Sequence, residues 1–225
     1  MSEAAEPEFY TPTQDLEGLE AVGTRDPALP DVLIIGDSIS IGYMQPVVAA
    51  LRGKANVARP NTNCGNTKRG LEQIEDWLGD ESWSVIHFNW GLHDLCYRNP
   101  ESTVQGKRDK LNGVQDVEIH DYRRNLETLV NRLRQRGAAL IFATTTYVPE
   151  GEAGRFTGDE VKYNEIAAAV MEANDIPLND LHALSASFEP ELFTEPGNVH
   201  YTPEGSARLG AQVAATIEAA LSESP

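Results

Sequence analysis

Short apolar runs that alternate with helical segments constrain the fold of this chain more than any other feature. The run Asp31–Ile35 is unbroken and ends at a glycine, which is typical of a strand buried on both faces of a parallel sheet. Four similar runs follow it, and the alternation predicts a single α/β domain with right-handed crossovers. The predicted strands are 31–35, 55–58, 84–89, 138–144 and 176–181, and the predicted helices are 44–52, 67–78, 120–136, 159–174 and 203–221.

The length of 225 residues suits one domain with a sizeable core. Residues 1–30 are polar and rich in Pro and Gly, so we expect an arm that packs on a domain formed by residues 31–225. The first residues lack the basic start and apolar run of a signal peptide, which predicts a cytoplasmic protein for the sequence as written. A chain from which such a peptide had been cleaved would look the same, so secretion stays open.

The net charge of −17 argues against nucleic acids and anionic membranes as partners, because phosphate contacts need clustered Lys and Arg. Two cysteines, Cys64 and Cys96, do not make a disulfide framework, and we expect two free thiols. The sequence contains no His-x-x-x-His or Cys-x-x-Cys pair, so we expect no metal and no cofactor. The oligomeric state stays open.

Chemically useful residues stand where the predicted strands end. Gly36-Asp37-Ser38 follows the first strand, Gly91-Leu92-His93-Asp94 follows the third, and Gly197-Asn198-Val199-His200 comes after the fifth. In open α/β sheets, ligands bind beyond the carboxyl ends of the strands. A serine, a histidine and the amides of glycine-rich turns are the groups that acyl transfer requires.

These residues resemble the SGNH (GDSL) hydrolases, and the order of the motifs covers residues 31 to about 220. The resemblance rests on Gly-Asp-Ser-Ile after a buried strand and on a histidine just before the last helix. It implies a flavodoxin-like three-layer α/β/α fold, here with a five-stranded parallel sheet, and an esterase or lipase-like activity. It also implies that Ser38 is the nucleophile, that His200 is the base, and that the amide of Ser38, a glycine amide and an asparagine side chain form the oxyanion hole.

Two positions depart from the family pattern. His93 stands where the family usually has asparagine, and a neutral imidazole can donate one hydrogen bond in its place. Gly197 stands where the family usually has the aspartate that orients the base. We predict that Asn198 orients His200 through its side-chain oxygen, with a backbone carbonyl or Glu195 as alternatives.

The glycine amide of the oxyanion hole is predicted at Gly65, within Asn63-Cys64-Gly65-Asn66. The chain is also similar to a subgroup of these hydrolases with Trp-Gly-Leu-His-Asp-Leu in the third motif and Val-His-aromatic-Thr at the end. The matching residues are 90–95 and 199–202. In that case His93 belongs to a variant site rather than a decayed one.

Four residues are predicted as substrate contacts: Asp37, Asn89, Asp94 and Arg155. Structural roles are the alternatives for the two aspartates, since either carboxylate can bind the amides of its own loop.

Arg155 is the only cation of the loop 149–156, and an arginine near the site of so acidic a protein can bind a carboxylate or a sulfate of the substrate. A solvated surface arginine is the alternative, and the same two interpretations apply to Tyr97 and Arg98. Neither loop contains an apolar run that would suggest a lipid-binding flap. A small or polar ester is therefore favoured over a long acyl lipid.

The sequence predicts a serine esterase that removes a small acyl or O-acetyl group, with a carbohydrate ester or another small-molecule ester as its substrate. The alternative is a non-catalytic glycan or small-molecule binding domain on the same fold, which the missing aspartate motivates. A nucleotide-binding domain is disfavoured, because the first turn lacks the Gly-x-Gly-x-x-Gly spacing.

Overall fold

Five parallel strands form the centre of the structure, as the apolar runs predict. The structure, a computed structural model, describes residues 7–12, 19–21 and 25–223. The strands in these residues are, in chain order, β1 Pro7–Pro12, β2 Leu19–Ala21, β3 Asp31–Ile35, β4 Asn56–Pro60, β5 Val85–Phe88, β6 Tyr97–Arg98, β7 Val114–Gln115, β8 Ala139–Ala143 and β9 Leu178–Asn179. The helices are α1 Ser38–Ala50, α2 Thr67–Leu78, α3 Ile119–Arg134, α4 Asp159–Glu172, α5 Leu181–Ala186 and α6 Pro203–Glu223.

The main sheet has the order β2-β1-β4-β3-β5-β8-β9, and its last five strands are parallel to one another. The direction of the strand order reverses at β3, which pairs with β4 on one side and β5 on the other. Such a reversal opens a crevice at the carboxyl ends of the two diverging strands. The flavodoxin-like fold with five parallel strands is thus confirmed.

The arm predicted from the polar N-terminus contributes strands. β1 pairs antiparallel with β4 and with β2, and the two strands extend the sheet to seven. The ring of Phe9 stacks on Trp83 at 5.8 Å between centroids, which ties β1 to the core. Residues 1–6, 13–18 and 22–24 of the arm lie outside the described residues, and the boundary near residue 30 stays a prediction.

Helices cover both faces of the sheet. α1 and α6 pack together on one face, and α2, α3 and α4 pack in sequence on the other. Two buried apolar clusters result, one on each side of the sheet. α1 begins six residues earlier than its predicted start at 44, because Asp37 caps it. None of the helices in the described residues is long and apolar enough to cross a membrane.

The long connection after β5 has a structure of its own. β6 and β7 form a two-stranded antiparallel sheet, with one turn of 3-10 helix at Gln105–Lys107 between them. The amide of Tyr97 donates to the carbonyl of Gly154 at 2.7 Å, so this segment packs on the loop that follows β8. The loops that follow β5 and β8 therefore form one structural unit.

α6 crosses α1 closely at Gly210. A Cβ at this position would lie 2.6 Å from Cβ of Pro46 and 3.0 Å from the carbonyl oxygen of Tyr43. Real Cβ atoms do not approach other atoms this closely, so a larger side chain must push the two helices apart.

We expect Gly210→Val to lower the free energy of unfolding by about 1–3 kcal/mol, because overpacking forces α6 away from α1. Ala211→Val is the matched control, since Ala211 is exposed on the same helix and should shift stability by less than about 0.5 kcal/mol. Urea denaturation measures both. Equal stability of the two variants would contradict the close crossing.

Candidate active site

Ser38 is the first residue of α1 and follows β3 after a two-residue turn. Asp37 caps the helix: its Oδ1 accepts a hydrogen bond from the amide of Ile39 at 2.9 Å. The Oγ of Ser40 donates to the carbonyl of Asp37 at 2.7 Å and closes the turn further. The turn therefore holds the serine at the helix N-terminus, where amide groups and the helix dipole favour negative charge.

A continuous chain of hydrogen bonds joins Ser38 to the C-terminal loop. The Nε2 of His200 lies 2.9 Å from Oγ of Ser38, and Nδ1 of His200 lies 2.7 Å from Oδ1 of Asn198. The Nδ2 of Asn198 donates to Oε1 of Glu195 at 2.9 Å, which fixes the orientation of the amide. Since the amide oxygen only accepts, Nδ1 of His200 carries the proton and Nε2 is free to accept the serine proton.

The geometry at Gly197 explains why an aspartate is absent there. Its φ of +74° is in the left-handed region, and a Cβ would lie 3.0 Å from the backbone of Gly151. The backbone of the loop after β8 thus occupies the space that an aspartate side chain would need. Asn198, the next residue, provides the oxygen that orients His200 instead.

His93 is held beside Arg98. The Nη2 of Arg98 lies 3.4 Å from Nδ1 of His93, and a guanidinium has donors only, so Nδ1 is the acceptor. The proton of a neutral His93 is then on Nε2. Burial lowers the pKa of His93; Asp37 opposes this effect, and Arg155 and Arg98 add to it. The imidazole therefore stays neutral and keeps one donor.

One cleft of about 320 Å³ brings most of the predicted site residues together. Its lining includes Ser38, His93, Arg155, Asn198 and His200. Arg155 is buried, with 5% of its surface exposed, so the alternative of a solvated surface arginine is wrong. The cleft also contains residues that the sequence did not single out as site residues: Asn63, Leu92, Gln105, Gly106, Arg108 and Val199.

Gly65 adopts a φ of +60° just before α2, and its amide donates to Oδ1 of Asn63 at 2.9 Å. An oxyanion would have to replace the Asn63 side chain as the acceptor of this amide. The role of Gly65 in the oxyanion hole stays a prediction, with Asn63 as its neighbour in the cleft.

Three residues predicted as substrate contacts, Asp37, Asn89 and Asp94, do not line the cleft. Asp37 holds the serine turn, and Nδ2 of Asn89 donates to the carbonyl of Ala143 at 2.6 Å. Asp94 is fully buried and accepts from the amide of Thr67 at 2.9 Å, which ties its loop to the start of α2. Burial raises the pKa of Asp94 to about 7. These side chains hold the loops that carry the site.

Cys64 and Cys96 are both free, as the sequence predicts, and both are buried. Burial raises the pKa of each thiol, so neither is an activated nucleophile.

The sequence profile of the GDSL-like lipase/acylhydrolase family matches residues 34–208, which include Ser38 and His200. The chain belongs to this family. A search of curated proteins finds no match to this GDSL-like hydrolase.

Solved structures of low identity share the fold of the GDSL-like hydrolase. A lipase/acylhydrolase from Enterococcus faecalis has a TM-score of 0.69 at 18% identity, over 84% of this chain and 96% of the other. An acetylxylan esterase from Geobacillus stearothermophilus has a TM-score of 0.66 at 15% identity, over 84% and 94%. Another acetyl xylan esterase has a TM-score of 0.66 at 14% identity, over 83% and 99%.

The electrostatic surroundings of His200 favour its neutral form in the GDSL-like hydrolase. Burial lowers the pKa of His200; Asp37 opposes this, and the guanidiniums of Arg155 and Arg108 add to it. A general base must be unprotonated, so a lowered pKa moves the acid limb of the rate profile to lower pH.

We expect kcat/KM of the wild type to keep its plateau until the pH falls below the ordinary histidine value of about 6.5. In Asn198→Asp the added carboxylate stabilises the imidazolium, raises the pKa of His200 and moves the limb to higher pH. Asn198→Ala leaves Nδ1 without its acceptor and should lower kcat at least about tenfold. pH–rate profiles of the three proteins measure both effects. An unshifted limb in Asn198→Asp would show that Asn198 does not orient His200.

Proposed function

We propose that this esterase removes a small acyl group, such as acetyl, from a carbohydrate through an acyl-enzyme on Ser38. The observation that carries the proposal is the hydrogen bond of 2.9 Å between Oγ of Ser38 and Nε2 of His200, with Asn198 behind the imidazole. A nucleophile, a base and an oriented acceptor in contact are the arrangement that acyl transfer needs.

In the proposed mechanism, His200 takes the hydroxyl proton as Ser38 attacks the ester carbonyl. The carbonyl carbon becomes tetrahedral, and the amides of Ser38 and Gly65 with Nε2–H of His93 stabilise its oxyanion. His200 then gives the proton to the departing alcohol, and the acyl group stays on Ser38. Water, deprotonated by His200, attacks this ester; His200 then returns the proton to Oγ of Ser38 as the bond to the acyl group breaks and the acid leaves.

The size of the cleft supports a small substrate, since about 320 Å³ is at the lower end of ligand pockets. Its lining is dominated by polar side chains, with Leu92 and Val199 as its apolar members. Two of the solved structures with this fold are named acetylxylan esterases, which supports an acetylated sugar as the substrate class. The intact hydrogen-bond chain through Asn198 favours catalysis over a binding domain without activity.

A fluorophosphonate probe should add once to the folded wild type, at Ser38, and should not add to Ser38→Ala. The reason is that only a serine whose proton is taken by an adjacent base attacks such a probe readily. Intact-mass spectrometry with peptide mapping measures the adduct. Ser187→Ala is the control and should be labelled like the wild type. Ser187 is exposed, and its Oγ donates to the carbonyl of Leu184 in the preceding helix. A Ser38→Ala protein that still hydrolyses aryl acetates would contradict the proposal.

His93→Ala should lower kcat about a hundredfold with little change in KM, because an oxyanion donor acts mainly in the transition state. His93→Asn should recover part of this loss, since its amide NH₂ can donate to the same oxygen. His120→Ala, an exposed histidine at the start of α3, should have wild-type kinetics. Full activity of His93→Ala would remove His93 from the oxyanion hole.

A further inference from the structure

Two arginines in the cleft share one buried carboxylate. Glu152 is fully buried, and its Oε1 accepts from Nη1 of Arg108 at 2.9 Å and from Nη1 of Arg155 at 2.8 Å. Its Oε2 accepts from the amide of Gly154. One carboxylate thus orients two guanidiniums and balances only one of their two charges.

The remaining donors of the two arginines are only partly used. Nε of Arg155 donates to the carbonyl of Leu92 at 2.7 Å, and Nε of Arg108 donates to the carbonyl of Gln105 at 3.0 Å. Within the described part of the chain, neither Nη2 atom has a hydrogen-bond partner, and both residues line the cleft. Two fixed guanidiniums with free NH₂ groups are a preorganised site for anionic oxygens.

Of the other charged residues of the cleft, Arg98 is paired with a carboxylate: its Nε binds Oδ2 of Asp116 at 2.7 Å. Glu195 accepts a hydrogen bond from the neutral amide of Asn198 at 2.9 Å, which orients the carboxylate but leaves its negative charge unbalanced. The unbalanced positive charge of the cleft therefore lies at the Arg108–Arg155 pair, and its unbalanced negative charge lies at Glu195. Because the whole chain carries a net charge of −17, a cationic pair in this cleft is a local exception to the charge of the molecule.

We propose that the substrate ester carries a carboxylate or sulfate on its alcohol part, and that Arg108 and Arg155 bind this group. The inference rests on the proposed esterase function and specifies its substrate class: an acetylated acidic sugar rather than a neutral one. We place the anionic group on the alcohol part of the ester, because an acetyl group has no ionisable group of its own. Charge-assisted contacts from fixed guanidiniums are stronger than contacts to a neutral group, so they favour an anionic substrate over a neutral one.

The test compares three acetylated methyl glycosides of the glucose series that differ only in the group at position 6. This group is a hydroxymethyl group, a carboxylate or a sulfated hydroxymethyl group. Wild-type kcat/KM should be at least about tenfold higher for one or both anionic esters than for the neutral one. In about 0.5 M NaCl the preference should shrink only in part, because salt screens partly buried charges less than exposed ones. The values of kcat/KM for the carboxylate ester and the sulfate ester then show which of the two anions the enzyme prefers.

The variants Arg108→Gln and Arg155→Lys address the two arginines separately. Each should move the ratio of anionic to neutral kcat/KM towards one, since the glutamine is uncharged and a lysine lacks the planar fork. Arg208→Gln is the control, because Arg208 is exposed and pairs with Glu204 on α6. Fluorophosphonate labelling shows whether each variant still assembles its site. An unchanged ratio in both labelled variants would overturn the inference.

The outcomes separate this inference from the esterase proposal. A wild type that is labelled at Ser38 and hydrolyses the three esters equally, or none of them, overturns the anionic substrate and leaves the nucleophile in place. A wild type that is neither labelled nor active overturns the esterase proposal itself. A labelled wild type with an anionic preference that both variants lose supports the two together.

Discussion

The parallel pairing of β3 with β4 on one side and β5 on the other is the constraint on which the rest of the structure depends. It directs the turns after these strands to the same edge of the sheet and leaves a crevice between them. Ser38 follows β3 directly, and His93 follows β5. His200 reaches the same edge from the loop before α6, although 162 positions separate it from the serine. The predicted catalytic groups, which come from distant parts of the chain, thus meet because the strands are parallel.

Contacts between loops then determine which side chains lie beside His200 and in the cleft. The backbone of Gly151 occupies the space beside Gly197, so the orienting oxygen comes from Asn198. The same loop carries Glu152 and Arg155, and it is joined to the segment after β5 by a backbone hydrogen bond and by the pair Arg108–Glu152. The orientation of the base and the charge of the cleft therefore depend on one set of loop contacts.

The sequence predicted those parts of the fold that local patterns determine. The bounds of α2 were predicted correctly, because apolar residues recur at helical spacing from Thr67 to Leu78. The last strand was predicted too long, since Pro177 cannot donate to a ladder and only Leu178–Asn179 pair. The strands of the arm were missed, because a short polar segment rich in Pro and Gly carries no clear strand signal.

The residues of the site also divide into those that local sequence patterns reveal and those that they do not. Ser38, His200 and Asn198 could be found because each lies in a short motif at the end of an element. Arg108 could not, because it lies in a long loop without periodicity and is positioned by a glutamate 44 residues later. Asp94 was predicted as a substrate contact, with a structural role in its loop as the other interpretation, and its burial against Thr67 supports the structural role. Interactions of this kind depend on the packed structure, which no local pattern encodes.

The two strands of the arm also change what the sheet presents to other molecules. Without them, the five residues of β4 would form an open edge with unpaired amides and carbonyls, which is a template for pairing with another chain. With them, the outermost strands in the described part of the chain are β2, with three residues, and β9, with two. Edges this short offer few ladder positions to an incoming strand. The described strands of the N-terminal segment thus cover the edge of β4 that would otherwise be open.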